Sequence, residues 1–279
     1  MNSVRQAQPS AFPGPSQPKE RYSWYVGIPG RVLLGEYRVV RPIARGAVAT
    51  VYLAFDPDGR PFAVKVFPKG YAARADREWQ VGCALGHPNV NPVLERFDID
   101  AYPAVLLAYA PGQRLSDLEH DRAGFLPTFR QMLAALAHMH ERGFVHRDVK
   151  PENVIVDEAG RARLIDFDLA GPQDEPTTNL RMGTIAYIAP EQVRGEQVSP
   201  ASDVYAAGVI LYWGLTGELP YVGTPERVLN RHLHDPLPPA RGFEPESALG
   251  TVLERMVAKD PRERYADAVA VLEALERLD

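Results

Sequence analysis

Residues 146–153 read HRDVKPEN and combine three side-chain types that phosphoryl transfer uses. The Asp148 carboxylate can accept the proton of an incoming hydroxyl, and Lys150 can neutralise charge on a moving phosphate. The amide oxygen of Asn153 can hold a metal ion. A short loop between a helix and a strand would aim these side chains at one point. The segment therefore predicts phosphoryl-transfer chemistry, with a polar loop of no special function as the alternative.

The overall composition is that of an ordinary globular protein. The chain has 279 residues, 45% of them apolar and 24% charged, which is enough for one large domain or two lobes with separate cores. A net charge of −5 argues against nucleic acid or an anionic membrane surface as a partner. Cys83 is the only cysteine, so no internal disulfide can form and a reducing compartment is expected.

No apolar run approaches the ~20 residues that a membrane helix needs. The first residues also lack the apolar stretch of a signal peptide. The sequence therefore predicts a cytoplasmic protein with no membrane segment in this chain.

Residues 1–30 differ from the rest in composition. They contain five prolines, with Ser, Gln and Gly between them, and few apolar residues. Such a segment cannot bury enough surface to offset its ordering entropy. It is predicted to be a flexible, proline-rich extension that precedes a single domain at 31–279.

The first part of this domain has the alternating apolar pattern of short strands. Strands are expected at 37–43, 50–55, 62–67, 93–99 and 104–109. The pair Asp58-Gly59 predicts a hairpin between the second and third of them. A helix is expected at 72–85, with Cys83 packed in it. The Ala-Pro-Gly sequence at 110–112 breaks the pattern and predicts a hinge.

The second part of the domain has the spacing of helices. Ser116 and Glu119 form a capping box that predicts a short helix, and apolar residues at 129–139 predict a longer helix ended by Gly143. Residues 204–215 are apolar nearly all round, which predicts a buried central helix. The last helix is expected to begin near Asp267 and to use apolar residues as far as Leu278.

The order of these elements around HRDVKPEN resembles the eukaryotic-like, or Hanks-type, Ser/Thr protein kinases of bacteria. The resemblance runs from about Leu33 to the last residue. It implies an α+β fold of two lobes, a strand-rich N-lobe with one helix at 31–109 and a mainly helical C-lobe at 110–279. It also implies transfer of the γ-phosphate of ATP to Ser and Thr hydroxyls of protein substrates, with Mg²⁺ or Mn²⁺ as cofactor.

The resemblance assigns five residues to catalysis. Lys65, in the strand FAVKVF, is expected to hold the α- and β-phosphates. Glu78 is expected to pair with Lys65, although the gap of 13 residues is shorter than the family usually shows. Asp148 is the implied base and Lys150 the implied phosphate contact. Thr184 is expected to hydrogen-bond both of them.

Two further residues are implied as metal ligands. Asp166 begins the tripeptide Asp-Phe-Asp, which stands where the family has Asp-Phe-Gly, and is expected to hold the metal together with Asn153. Asp168 replaces a glycine that permits positive φ, a conformation that aspartate tolerates at modest cost. Its carboxylate is expected close to the metal, where it would favour cation binding and Mn²⁺.

The loop that should cover the phosphates departs from the family pattern G-x-G-x-x-G-x-V. Only its middle glycine remains, so weaker nucleotide affinity is expected. The adenine is expected between apolar residues of the two lobes, beside the hinge. The residues implied in ATP binding are Ala44, Gly46, Ala49, Val51, Ala63, Lys65, Leu107, Ala108, Tyr109, Ala110 and Ile155.

The segment 182–191, MGTIAYIAPE, resembles the family segment that ends in Ala-Pro-Glu. Glu191 is expected to form an ion pair with Arg264. Asp203 is expected to bind the backbone of the catalytic loop. Both residues are interpreted as parts of the scaffold.

Autophosphorylation is expected between Asp166 and Glu191, at Thr177 or Thr178. Arg147 directly precedes the base, and in kinases of this type that arginine waits for a phosphate, which could order the segment. The alternative is a permanently ordered segment, in which Asp174 or Glu175 stands in for the phosphate.

The rival interpretation is a pseudokinase that binds a nucleotide or a partner and has little turnover. Ala44, Ala49, Asp168 and Gly82 support it, since the family prefers other residues there. The residues that a decayed kinase usually loses are nevertheless all present, which favours the enzyme: Lys65, Glu78, Asp148, Asn153 and Asp166. The sequence leaves the protein substrate, the activating signal and the oligomeric state open.

Overall fold

The computed structural model describes residues 32–34, 36–119, 122–175, 185–239 and 244–278. The expected proline-rich extension at 1–30 lies outside the described residues. The same holds for Thr177, Thr178 and Thr184.

A six-stranded antiparallel sheet forms the N-lobe. Its order is β1-β2-β3-β4-β6-β5. The strands are β1 (Val32–Leu34), β2 (Tyr37–Arg45), β3 (Thr50–Phe55), β4 (Pro61–Val66), β5 (Val93–Ile99) and β6 (Tyr102–Ala108). The predicted hairpin joins β3 to β4, where Gly59 has a φ of 82°. The short β1 was not predicted.

Helix α1 (Ala72–Cys83) crosses the sheet and packs on β5 and β6. Gly82 permits this close approach, because a Cβ atom there would lie 2.0 Å from Cγ2 of Val93. The glycine therefore has a packing role, although the family prefers a larger apolar residue at this position. The connection from β4 to α1 is five residues long, and the ion pair of Lys65 with Glu78 forms despite the short spacing.

The C-lobe is mainly helical. Among the described residues its helices are α2 (Arg122–Glu141), α3 (Pro190–Arg194), α4 (Pro200–Thr216), α5 (Pro225–His234), α6 (Ala248–Met256) and α7 (Ala268–Glu276). Helix α4 is buried over most of its length and contacts α2, α6 and α7, so the prediction of a central apolar helix is confirmed. The two-lobed α+β fold is confirmed as well.

Short strands and turns place the catalytic loop between the lobes. Strands β9 (Val154–Val156) and β10 (Ala162–Leu164) form a hairpin, and β7 (Gln113–Arg114) pairs with β9. Strand β8 (Phe144–Val145) precedes the loop and pairs with β11 (Gly171–Pro172). The catalytic loop therefore begins and ends at paired strands, which limits its freedom.

Three details of the predicted elements are wrong. Cys83, the last residue of α1, is exposed and not packed. The segment after β7 is a single 3₁₀ turn, Leu115–Asp117, whose N-cap is Arg114 and which has no side-chain cap. Ser116 instead hydrogen-bonds the neighbouring Asp117 side chain, at 3.1 Å, so the capping box does not form. At the other end of the chain, Leu278 lies beyond the end of α7 and is 39% exposed.

Candidate active site

Lys65 on β4 and Glu78 on α1 form a buried ion pair, as predicted. The Nζ atom of Lys65 lies 2.7 Å from Oε2 of Glu78, and the two side chains are 6% and 1% exposed. Burial raises the pKa of Glu78 to about 7, although the charge of Lys65 opposes this shift. The pair links the central strand of the N-lobe sheet to its helix.

Lys65 also contacts the segment that follows β10. Its Nζ atom donates a 2.8 Å hydrogen bond to Oδ1 of Asp166. Burial alone would lower the pKa of Lys65, but Asp166 and Glu78 raise it strongly. The ammonium in turn holds the pKa of Asp166 well below its ordinary value, against the effect of burial. Lys65 is therefore charged and fixed between two carboxylates from different parts of the chain.

The backbone at Asp168 differs from expectation. Asp168 does not have a positive φ, whereas Asp166 does, at 70°. The tolerance of aspartate for a positive φ is therefore not needed at position 168. Oδ2 of Asp168 lies 3.3 Å from Nη1 of Arg74 and 3.7 Å from Nζ of Lys65. Its carboxylate faces two cations of the N-lobe.

The catalytic loop brings together the three residues singled out in HRDVKPEN. The Nζ atom of Lys150 donates to Oδ2 of Asp148 over 2.5 Å. Nδ2 of Asn153 donates to the backbone oxygen of Asp148 over 2.9 Å and contacts Oδ2 at 3.3 Å. These contacts fix the Asp148 carboxylate. Asn153 uses its amide nitrogen for them, so its amide oxygen can still bind a cation.

Asp203, in the first turn of α4, holds the backbone of this loop, as predicted. Its carboxylate accepts hydrogen bonds from the backbone N–H groups of His146 and Arg147, at 2.7 and 2.9 Å. His140 on α2 contacts the same carboxylate at 3.0 Å. Although burial opposes it, the hydrogen bond and charge of His140 lower the pKa of Asp203. The loop that carries Asp148 is thereby attached to the C-lobe core.

The β2–β3 turn, which should cover the phosphates, keeps a compact hairpin shape. The N–H of Gly46 donates to the carbonyl of Ala49 over 2.8 Å, and Ala44 pairs with Val51. Ala49 is buried and belongs to the main apolar core. The alanine methyl at position 49 therefore contributes to packing.

Most of the residues expected around the adenine lie on strands β3, β4, β6 and β9. Val51, Leu107 and Ile155 are half-buried, and Ala63 is buried. The N–H of Ala108 donates to the carbonyl of Pro92, and its own carbonyl accepts from the Asn91 side chain, both at 3.0 Å. Tyr109 and Ala110 follow β6 directly and are half-buried.

Glu191 and Arg264 form the predicted ion pair. Two parallel contacts of 2.7 and 2.8 Å join the guanidinium to the carboxylate, and both side chains are at most 1% exposed. Arg264 further donates to the carbonyls of Ala201 and Ala258. The pair connects α3 to the segment between α6 and α7.

The site contains contacts that the sequence did not predict. Arg74 and Arg77 lie one helical turn apart on α1, and both reach the segment after β10. His140 supports Asp203, and the ring of His146 packs edge-on against Phe167, with centroids 5.7 Å apart. The i, i+3 spacing of the arginines was visible in the sequence, but their carboxylate partners are more than 90 residues away.

No helix in the described ranges is long and apolar enough to cross a membrane.

Comparison with known proteins agrees with this geometry. The chain is 31% identical over 257 residues to the serine/threonine-protein kinase PrkC of Bacillus subtilis, covering 86% of this chain and 40% of the relative. It is 36% identical over 277 residues to the DNA damage-responsive serine/threonine-protein kinase RqkA of Deinococcus radiodurans, covering 90% and 41%. With PknB of Mycobacterium tuberculosis it shares 32% identity over 270 residues, covering 88% and 43%.

These relatives confirm the resemblance to bacterial Ser/Thr kinases, and the chain spans about 40% of their length. The family model of the protein kinase domain matches residues 37–275, nearly all of the folded part. The sequence and the fold therefore lead to the same conclusion: this chain belongs to the protein kinase domain family.

Proposed function

We propose that this chain is an active Ser/Thr protein kinase domain that transfers the γ-phosphate of ATP to hydroxyl groups of protein substrates. The observation that carries the proposal is the position of Lys65, whose ammonium contacts both Glu78 and Asp166. In kinases the lysine–glutamate pair must be in place for phosphotransfer, together with the contact between the metal ion and the aspartate that corresponds to Asp166. The names of the curated relatives support the same activity.

Asn153 and Asp166 are the proposed ligands of the divalent cation. Both offer hard oxygen atoms, which Mg²⁺ prefers. Lys65 occupies only Oδ1 of Asp166, and Asn153 is oriented through its amide nitrogen, so the donor set fits such an ion. When bound, the cation would neutralise charge on the phosphates of ATP. We propose Mg²⁺, with Mn²⁺ as the alternative that the extra carboxylate of Asp168 favours.

Asp148 is the proposed base. It accepts the proton of the substrate hydroxyl, while Lys150, fixed beside it at 2.5 Å, stabilises charge on the transferred phosphate. Asp203 holds the loop backbone and so sets the direction in which Asp148 points. The proposed contact of Thr184 with Asp148 and Lys150 favours Ser/Thr over Tyr substrates.

The nucleotide is proposed to lie between the lobes. Lys65 would contact its α- and β-phosphates, and the β2–β3 turn with Ala44, Gly46 and Ala49 would cover them. Its adenine would pack among apolar residues of both lobes: Val51, Ala63, Leu107, Ala108 and Ile155. Because both backbone groups of Ala108 are already hydrogen-bonded, the hinge contacts to adenine are assigned to Tyr109 and Ala110.

Phosphotransfer to protein tests this function. The chain should incorporate label from γ-labelled ATP into a generic acceptor protein in the presence of Mg²⁺, and acid hydrolysis should release phosphoserine or phosphothreonine. Labelling that is absent with both Mg²⁺ and Mn²⁺, despite measurable ATP binding, would instead support the pseudokinase.

We place the domain in the cytoplasm, where ATP is available and the single cysteine stays reduced.

A further inference from the structure

Two arginines from different elements converge on Glu175, just after β11. Nη1 and Nη2 of Arg77 donate to its two carboxylate oxygens over 2.5 and 2.6 Å. Nη1 of Arg147 donates to Oε2 over 2.9 Å. The carboxylate thus receives a bidentate hydrogen-bonded pair from one guanidinium and a single bond from another, and such charge-assisted bonds are among the strong ones in proteins.

Each of the two arginines is adjacent in sequence to an acidic residue of the proposed mechanism. Arg77 directly precedes Glu78 on α1, and Arg147 directly precedes Asp148 in the catalytic loop. Arg147 also donates a 2.7 Å hydrogen bond to the carbonyl of Pro172, and its backbone has a positive φ of 68°. Through Glu175, the helix of the N-lobe and the loop of the C-lobe are held by one side chain.

Gly171 provides the space in which these side chains meet. A Cβ atom at this position would lie 2.3 Å from Nη1 of Arg77, 2.5 Å from Oε2 of Glu175 and 3.0 Å from Nη1 of Arg147. The φ of Gly171 is not positive, so its backbone would accept any residue. A side chain at position 171 would therefore displace the ends of these three flexible side chains, so the glycine leaves room for the cluster.

The charges of the cluster match its geometry. Hydrogen bonds from Arg77, followed by those from Arg147, lower the pKa of Glu175 to about 2, although partial burial opposes the shift. One turn earlier on α1, Arg74 pairs with Asp168 at 3.3 Å. Helix α1 therefore contacts the segment from 166 to 175 through two arginine–carboxylate pairs on the same face.

We propose, on the basis of the kinase function proposed above, that Glu175 is a positioning residue that holds α1 and the catalytic loop in their working arrangement. Because its carboxylate already occupies Arg147, phosphotransfer does not require a phosphate on Thr177 or Thr178. A phosphothreonine could supply such an anion to an arginine. In this chain the anion is encoded as a glutamate.

Initial rates of unphosphorylated protein test the proposal. The wild type and the variants are produced together with a phosphatase, shown by mass spectrometry to carry no phosphate, and assayed with a generic acceptor before autophosphorylation accumulates. The wild type and Thr177→Ala/Thr178→Ala should have the same rate without a lag. Glu175→Gln should lower kcat roughly tenfold or more, because it removes the charge that both guanidinium groups contact.

Asp174→Asn is the matched control, since it removes the neighbouring carboxylate, which is exposed. Its kcat should stay within about twofold of wild type. Gly171→Ala should lower kcat like Glu175→Gln, since the new methyl group displaces the arginines. Arg77→Gln and Glu175→Gln should not add in the double variant, because they break the same contact. Thermal unfolding of each variant separates this positional effect from a loss of folded protein.

Hydrogen exchange provides a readout that needs no turnover. Amides of residues 72–83 should exchange faster in Glu175→Gln than in wild type, and not in Asp174→Asn. The proposal is overturned if Glu175→Gln matches Asp174→Asn in rate and exchange, or if wild type gains activity only after phosphorylation at Thr177 or Thr178. If wild type transfers no phosphate in any state, the proposed function fails, and hydrogen exchange still decides whether Glu175 holds α1.

Discussion

Nζ of Lys65 lies 2.7 Å from Oε2 of Glu78 and 2.8 Å from Oδ1 of Asp166, so one ammonium joins β4, α1 and the segment after β10. If Lys65 also contacts the phosphates, Lys65→Ala should weaken ATP binding and reduce turnover together. Calorimetric titration with ATP and a steady-state assay measure the two effects. Lys69→Ala, at an exposed position of the following loop, serves as the control and should change neither.

Asp168 tests the cation preference. Its carboxylate faces Arg74 and Lys65 but belongs to the same tripeptide as the proposed metal ligand Asp166. Asp168→Gly should leave the protein active and shift its preference from Mn²⁺ toward Mg²⁺, because a hard oxygen ligand is removed. Activity is titrated with each metal. If the ratio of the Mg²⁺ and Mn²⁺ midpoints is unchanged, Asp168 does not contact the cation and only pairs with Arg74.

The buried pair of Glu191 and Arg264 tests the scaffold. Arg264→Ala should lower the free energy of unfolding by roughly 3–5 kcal/mol, because it leaves the Glu191 carboxylate buried without its partner. Urea denaturation measures the change. The neighbouring Arg262, whose side chain is 88% exposed in its pair with Asp260, is the control, and Arg262→Ala should have little effect. Equal losses of unfolding free energy for the two variants would contradict the interpretation of the Glu191–Arg264 pair as part of the scaffold.

His232 predicts a pH dependence of stability. Burial, and then the charge of Lys259, lowers its pKa to about 4, and its ring contacts Tyr205 and Tyr221. The unfolded chain therefore binds a proton at this histidine more readily than the folded chain does. The stability that neutral, buried His232 contributes is present above about pH 6.5 and is lost as the pH falls toward 4. The loss amounts to roughly 3 kcal/mol.

Denaturation curves between pH 7 and pH 4 measure this effect in wild type and His232→Gln. The wild type should lose more stability over this range than the variant, which has no imidazole to titrate. Parallel curves for the two proteins would show that His232 is not responsible.

Much of the fold could be predicted because its causes are local. Strand alternation, the apolar face of α2 and the continuous apolar run of α4 each follow from the spacing of residues along the chain. The pairing of Lys65 with Glu78 was also accessible, because few acids on α1 compete for the lysine. The pair forms despite the short spacing.

The missed contacts depend on tertiary structure. Arg77 and Glu175 are 98 residues apart, and the sequence around neither residue indicates that the two side chains will meet. The positive φ of Asp166 was not predicted, since nothing in the local sequence indicates a left-handed conformation at that aspartate. The capping box at Ser116 failed because the segment closes a single 3₁₀ turn and leaves no room for a helix.

Asp148 carries the central claim, that this domain is a working kinase. We expect Asp148→Asn to reduce transfer from γ-labelled ATP to a generic acceptor roughly 100- to 10,000-fold, because the hydroxyl loses its base. The dissociation constant for ATP should stay unchanged, since Asp148 contacts Lys150 and Asn153 of its own loop. Equal transfer rates for Asp148→Asn and wild type, measured with folded protein of both, would contradict the mechanism.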